Sequence, residues 1–163
     1  MVKVGVLTIS NRASQGVYSD ESGPLAVELL KGVLGLDEAK LDVVPDDETL
    51  IKRRLIEWCD IDGCDLIFTN GGTGISPTDV TPQATMSVIG YQVPGLAELM
   101  RSRSLEETPM AALSRALAGV RGRTLIINLP GSPRGVRTCL QALLPILPHA
   151  LEQLESGGGH KRV

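Results

Sequence analysis

Three short runs, Val2–Ile9, residues 64–69 and Thr124–Leu129, are apolar almost without interruption. A strand with one wet face alternates apolar and polar residues. Unbroken runs suit strands covered on both faces, as in parallel sheets. Between these runs the spacing changes to that of helices. Leu25, Leu29, Leu30 and Val33 fall at helical intervals over residues 24–34, with Pro24 suited to the first turn. Over residues 48–59, Ile51, Leu55 and Trp58 form an apolar stripe opposite Lys52, Arg53 and Glu57. Residues 41–44 read as another short strand, and residues 82–89 and 95–102 as helices. Ser132-Pro133 opens a last helix through Val136, Leu140, Leu143 and Leu144, which Pro145 and Pro148 interrupt before it resumes over residues 150–154. This alternation predicts an α/β fold, a mostly parallel sheet with helices on both faces.

At 163 residues the chain reads as a single domain over residues 1–155, followed by a disordered tail, 156–163, that contains three consecutive glycines. A composition 42% hydrophobic and 21% charged excludes disordered and collagen-like classes. No apolar run reaches the roughly 18 residues of a membrane span, and Met1-Val2-Lys3-Val4 enters a strand with no signal-peptide pattern. Cys59, Cys64 and Cys139 lack metal-site spacing, and an odd number argues against a disulfide framework, so they read as buried thiols of a cytoplasmic protein. Residues 1–100 carry 7 Lys and Arg against 15 Asp and Glu, and residues 101–163 carry 9 against 4. Such asymmetry fits either solvated helix faces or a basic surface drawing phosphates toward carboxylates. Four aromatics (Tyr18, Trp58, Phe68, Tyr91) without an interleaved basic run give no nucleic-acid signature.

Ligands of open parallel sheets bind beyond the carboxyl ends of the strands. Three segments fall there: residues 10–23, residues 70–81 and residues 130–132. The second begins Asn70-Gly71-Gly72-Thr73-Gly74, where three glycines in four residues offer N–H groups able to converge on an anion. No Gly-Lys-Ser/Thr ends it and no GxGxxG is present, so it is neither a Walker A loop nor a dinucleotide fingerprint. Taken alone it is equally a tight strand-to-helix turn. Asp79 follows within Asp79-Val80-Thr81-Pro82, where Thr81 is expected to cap the helix with Pro82 at its first position. Asp46, in Pro45-Asp46-Asp47-Glu48, ends the second strand, where acids also complement a helix dipole. At the ends of neighbouring strands, Asp46 and Asp79 together suit a hard cation such as Mg²⁺ that also takes phosphate oxygens. Pro130-Gly131-Ser132-Pro133 forms a turn and a second helix start, with Ser132 as cap. His149 and His160 read as solvent-facing, leaving no Ser/His or Cys/His nucleophile system.

These segments together resemble the molybdopterin-binding family of molybdenum-cofactor biosynthesis, which includes the bacterial molybdopterin adenylyltransferases and the G domain of gephyrin. The residues that carry the resemblance are Leu7-Thr8-Ile9-Ser10, Pro45-Asp46-Asp47, Gly71-Gly72-Thr73-Gly74, Asp79-Val80-Thr81-Pro82, Pro94-Gly95, Leu113-Ser114-Arg115 and Asn128-Leu129-Pro130-Gly131, in order over residues 3–155. The resemblance implies a three-layer α/β/α fold, usually trimeric, that uses MgATP to adenylylate molybdopterin and release pyrophosphate. It implies that Asp46 and Asp79 are the acidic pair for transfer and hold Mg²⁺. It implies that Gly71, Gly72, Thr73 and Gly74 form the loop facing nucleotide and phosphate. Ser104 and Ser114 fall where the family has pterin-associated serines, Asn128, Pro130 and Gly131 line the same cleft, and Thr8 and Ser10 lie at its rim. A molybdate-inserting protein is the implied partner; neither nucleic acid nor membrane is. A non-catalytic trimer that binds the pterin or acts as a scaffold is the alternative, because fold does not guarantee chemistry. Many relatives carry Arg just before Asp79, where this chain has Ser76-Pro77-Thr78. Arg12, Arg101, Arg103, Arg115 and Arg134 are candidates to supply the missing guanidinium.

Overall fold

The computed structural model describes residues 2–156. The tail expectation therefore lies, apart from Ser156, outside the described residues, as does His160. Strands β1 (Val2–Ile9), β2 (Leu36–Val44), β3 (Leu66–Asn70), β4 (Tyr91–Gln92), β5 (Ala118–Arg121) and β6 (Thr124–Leu129) form one sheet in the order β2-β1-β3-β6-β5-β4. The first four are parallel, while β5 and β4 run antiparallel at one edge.

Strand alternation divides the core into two apolar clusters. On one face Val4, Val6, Leu66, Phe68, Leu125 and Ile127 pack against helices α2 (Ser22–Lys31), α5 (Pro94–Leu105), α6 (Pro133–Leu143) and α7 (Leu147–Glu155). On the other, Leu7, Ile67 and Ile126 meet Ile51, Leu55, Ala84 and Val88 of α3 (Glu48–Ile56) and α4 (Thr81–Val88). Helices thus cover both faces, the expected three layers. Side chains such as Phe68, Ile67, Ile126 and Ile127 have no exposed surface, which is why these strands read as unbroken apolar runs.

Several local differences from the sequence expectations have physical causes. Strand β2 begins five residues earlier than expected, because Glu38 and Lys40 interrupt the apolar pattern. As an edge strand it tolerates charge, and Lys40 pairs there with Glu38 and Asp62 at 3.5 and 3.3 Å. Strands β4 and β5 escaped notice because each is short. Gly122, at φ +58°, makes the tight link in which Arg121 pairs with Thr124. Helix α3 ends at Ile56 and continues as one π turn through Ile61, which keeps Trp58 buried. Pro148 does not break α7, because it lies in the first turn, where its missing N–H is not needed.

Gly5 of β1 lies directly against Trp58, where an added Cβ would overlap the indole and sit 2.7 Å from Cζ3. The indole is enclosed, so it cannot yield without moving the π turn. Gly5→Ala is expected to lower stability by about 1–3 kcal/mol through overpacking. A denaturation midpoint unchanged from the parent protein would show that Trp58 has room to move.

Candidate functional site

Strand β1 leads to β2 on one side, and the chain then crosses to β3 on the other side of β1. That reversal opens a crevice beyond the carboxyl ends of β1 and β3. A cavity of about 660 Å³ lies there, lined by Thr8, Ser10, Asp46, Asn70, Gly71 and Asp79 among others. A second cavity of about 330 Å³ lies beside it, lined by Met100, Arg101, Ser104, Leu113 and Ser114 among others. The first is acidic and largely polar, the second largely apolar. The glycine loop separates them: Gly71 and Gly72 border the acidic cavity, and Thr73 and Gly74 border the apolar one.

The loop geometry requires glycine at two positions. Gly71 has φ +97° and Gly72 φ +67°, both in the left-handed range that side chains resist. Gly71 donates to Leu129 O at 3.1 Å and Gly72 O accepts from Thr81 N at 3.1 Å, which ties the turn to β6 and α4. The N–H groups of Gly72, Thr73 and Gly74 find no protein acceptor among the described residues. Thr81 does not cap α4 as expected. Its hydroxyl donates to Gly71 O at 2.9 Å, and the cap position falls on Val80, which makes no side-chain cap bond.

Asp46 is held in place by reciprocal bonds with Asn11. Its N–H donates to Asn11 Oδ1 at 2.8 Å, and its Oδ2 accepts from Asn11 N at 3.2 Å. Asp79 Oδ2 accepts from Ser76 N at 3.1 Å. Neither carboxylate is paired with Lys, Arg or His among the described residues. Burial raises the Asp46 pKa; the Asn11 N–H pulls it down, and the negative charge of Asp79 pushes it up again. The net direction is upward, so the folded state holds this proton more tightly than the unfolded chain does. The associated stability is present below the unfolded pKa and is lost as pH rises through the folded one. An ionised Asp46 therefore costs the fold at neutral pH. Asp46→Asn is expected to leave the melting temperature at pH 7 equal or higher, with the gap closing toward pH 4; a lower value at pH 7 would count against this.

The cap of α3 is Asp47, whose Oδ1 accepts from Leu50 N at 3.0 Å, leaving Asp46 unencumbered by that role. Thr8 is buried and donates to Asp20 Oδ2 at 2.8 Å. Ser10 caps the short helix α1 (Asn11–Ser14) and bonds Tyr18 at 2.8 Å. Ser132 caps α6, its hydroxyl accepting from Gly135 N at 3.1 Å. Pro130 borders the apolar cavity and Gly131 the acidic one. Asn128 also borders the apolar cavity, but its amide is committed within the protein. Nδ2 donates to Thr69 and Thr85 Oγ1, both at 2.9 Å, and Oδ1 accepts from Leu117 N at 3.2 Å. Its role is to fix the cavity floor. Ser104 lies 3.5 Å from the Cys139 thiol, whose pKa burial raises. Cys64 and Cys139 are buried, Cys59 is half-buried, and all three are free thiols. His149 is exposed, as expected.

The sequence reading missed Asp20 and Asn70. Asp20 lies in the segment flagged after β1; its Oδ1 accepts from Gly23 N at 3.1 Å, tying the start of α2 to the cavity. Asn70 is 1% exposed and leaves Oδ1 without a partner at the cavity wall. Among the candidate arginines, Arg101 and Arg134 border the apolar cavity, and Arg12 stacks over Tyr18. Arg115 is not free to clamp a phosphate, because its guanidinium donates to loop carbonyls. No helix among the described residues is long and apolar enough to cross a membrane.

The donor chemistry fits a hard divalent cation. Two carboxylates without protein counter-charges among the described residues share one cavity, and the charge of Asp79 adds to the cost of ionising Asp46. A Cβ on Gly72 would come within 3.1 Å of Asp46 Oδ1, and one on Gly74 within 2.9 Å of Asp79 Oδ2, so glycine keeps the space beside both acids clear. No cluster of three or more metal-binding side chains occurs among the described residues. Two carboxylates suit Mg²⁺, which retains waters and takes phosphate oxygens.

Residues 5–149 match the family model described as a probable molybdopterin binding domain. The molybdopterin adenylyltransferase of Helicobacter pylori is 45% identical over 152 residues, covering 93% of this chain and 86% of that protein. The Escherichia coli molybdopterin adenylyltransferase is 39% identical over 143 residues, covering 87% and 73%. The crystal structure of the molybdopterin biosynthesis enzyme MoaB from Thermus thermophilus superposes with a TM-score of 0.90 at 51% identity, covering 96% of this chain and 98% of that one.

Proposed function

This chain belongs to the molybdopterin-binding family of molybdenum-cofactor biosynthesis, and we propose that it is a molybdopterin adenylyltransferase using MgATP. The observation that carries this reading is the pairing of Asp46 and Asp79, unneutralised, beside a glycine loop with free N–H donors. An oxygen of the pterin's terminal phosphate attacks the α-phosphorus of ATP; the bond to the bridging oxygen breaks, and pyrophosphate leaves with that electron pair. The nucleophile is already ionised, so no general base is needed, consistent with His149 lying away from both cavities.

Asp46 and Asp79 would hold Mg²⁺, which when bound neutralises charge on the phosphate oxygens. The N–H groups of Gly72, Thr73 and Gly74 orient phosphates across the divide between the cavities. The acidic cavity takes the triphosphate. The apolar cavity, with Ser104, Ser114 and Arg101 at its wall, takes the pterin. Arg101 already donates to Ala116 O at 2.7 Å, which holds its guanidinium at the cavity edge. Thr8 and Ser10 set the rim through Asp20 and Tyr18.

The proposal extends to a homotrimer, a cytoplasmic setting suited to three free thiols, and hand-over of the product to a molybdate-inserting protein. Light scattering at micromolar concentration that finds only a 17.3 kDa species would remove the trimer. The decisive assay is pyrophosphate release from purified protein with molybdopterin and MgATP, against a control lacking the pterin. Pterin-dependent release is expected. Pterin binding without release would favour the scaffold reading.

A further inference from the structure

Ser114 and Arg115 are adjacent in sequence but play different parts. Ser114 lines the apolar cavity, while Arg115 reaches across the loop that borders both. The Arg115 backbone N–H donates to Thr73 O at 2.8 Å. Its guanidinium Nε donates to Gly74 O at 2.7 Å and its Nη2 to Asp79 O at 2.7 Å. Nη1 donates to Gln83 Oε1 at 3.2 Å, which anchors the group to α4. One planar fork thus clasps both ends of residues 74–79, while residues 75–78 between them are exposed. Inside that loop the remaining hold is local: Asp79 N donates to Ser76 O at 2.9 Å, and Ser76 N returns a bond to the Asp79 carboxylate.

We infer that Arg115 is a positioning residue that sets the Asp79 carboxylate and couples occupancy of the apolar cavity to nucleotide binding in the acidic one. The naming of the two ligands rests on the adenylyl-transfer reading above. A ligand lying against Ser114, Thr73 and Gly74 orders the segment whose carbonyls Arg115 holds. The same guanidinium carries that order to Asp79. The second ligand then meets a loop whose ordering cost has already been met, which makes binding cooperative without a large structural change. A lysine keeps the charge but cannot bridge two carbonyls at a fixed separation.

The test is calorimetric titration with α,β-methylene ATP and Mg²⁺, with and without saturating molybdopterin. In the wild-type protein, bound pterin is expected to tighten the nucleotide at least about fivefold, the lower end of typical coupling. In Arg115→Lys that factor falls to about one, while the affinity for pterin alone stays within about twofold. A coupling factor retained in Arg115→Lys, or absent from the wild type, overturns the inference. Because the analogue cannot be turned over, coupling without pyrophosphate release from ATP would count against adenylyl transfer and leave this inference standing. If Arg115→Lys does not fold, amide exchange over residues 74–79 of the wild type decides. Pterin alone should slow it, and unchanged exchange overturns the inference.

Discussion

Asp79→Asn is expected to reduce pterin-dependent pyrophosphate release about a thousandfold, or ~4 kcal/mol of transition-state stabilisation, while pterin affinity stays within about twofold. The carboxylate lies in the acidic cavity with Asp46, and neither acid has a basic partner among the described residues. Asparagine retains the acceptor that Ser76 N uses at 3.1 Å, so the turn survives. What is lost, on the proposed reading, is the negative charge that would hold Mg²⁺ against the transferring phosphate. The apolar cavity, proposed for the pterin, is lined by other residues, so pterin binding should be spared. Full activity in Asp79→Asn would remove this acid from the mechanism, and loss of pterin binding would show that the two cavities are not assigned as argued.

Gly72→Ala is expected to be nearly as damaging, through shape rather than charge. A side chain at φ +67° costs about 1–2 kcal/mol on its own. The new Cβ would also overlap the Thr81 hydroxyl, which is fixed by its 2.9 Å bond to Gly71 O. Overpacking adds about 1–3 kcal/mol, for a total near 2–5. In a chain of this size that corresponds to a melting temperature lower by roughly 10 °C. Because the same Cβ would come within 3.1 Å of Asp46 Oδ1, activity should fall by more than the loss of stability explains, even where the protein remains folded. Calorimetry and pyrophosphate release on the same preparation check both parts. A variant that matched the parent in each would mean that the turn relaxes freely.

The glycine loop and both acids were legible in the sequence because their geometry is local. A left-handed turn needs glycine, and Asp46 follows the end of β2 by two residues. Strands β2 and β3 are not the neighbours expected, because β1 lies between them, and Asp79 reaches the crevice on the loop after β3. The parallel core was legible for a related reason: strands covered on both faces leave a run without polar breaks. Asp20 was not, because its bond to Gly23 N is an ordinary local turn contact and only the bond from Thr8, twelve residues away, ties it to the cavity. Nor was Arg115, because its role depends on partners distant in sequence. Arg115 meets Gly74 and Asp79, 41 and 36 residues away, and nothing in Leu113-Ser114-Arg115 distinguishes a clasp on carbonyls from a clamp on phosphate. Thr81 misled for the opposite reason. A threonine before proline is a good local cap, but the open carbonyl of Gly71 competed for its hydroxyl and won. The antiparallel edge went unseen because β4 is two residues long and exposed, so it has no periodicity to read.

Four consecutive residues, Gly71 to Gly74, form a partition whose two sides border different cavities. For inhibitor chemistry this favours a single bridging molecule over two separate ones. A compound with a flat, largely apolar head and a polyanionic tail, joined by a tether just long enough to pass the partition, would hold its second group at millimolar effective concentration once the first is seated. Its affinity would exceed that of either fragment by orders of magnitude. The tether's length, rather than the chemistry of either end, would decide how much of that gain is realised.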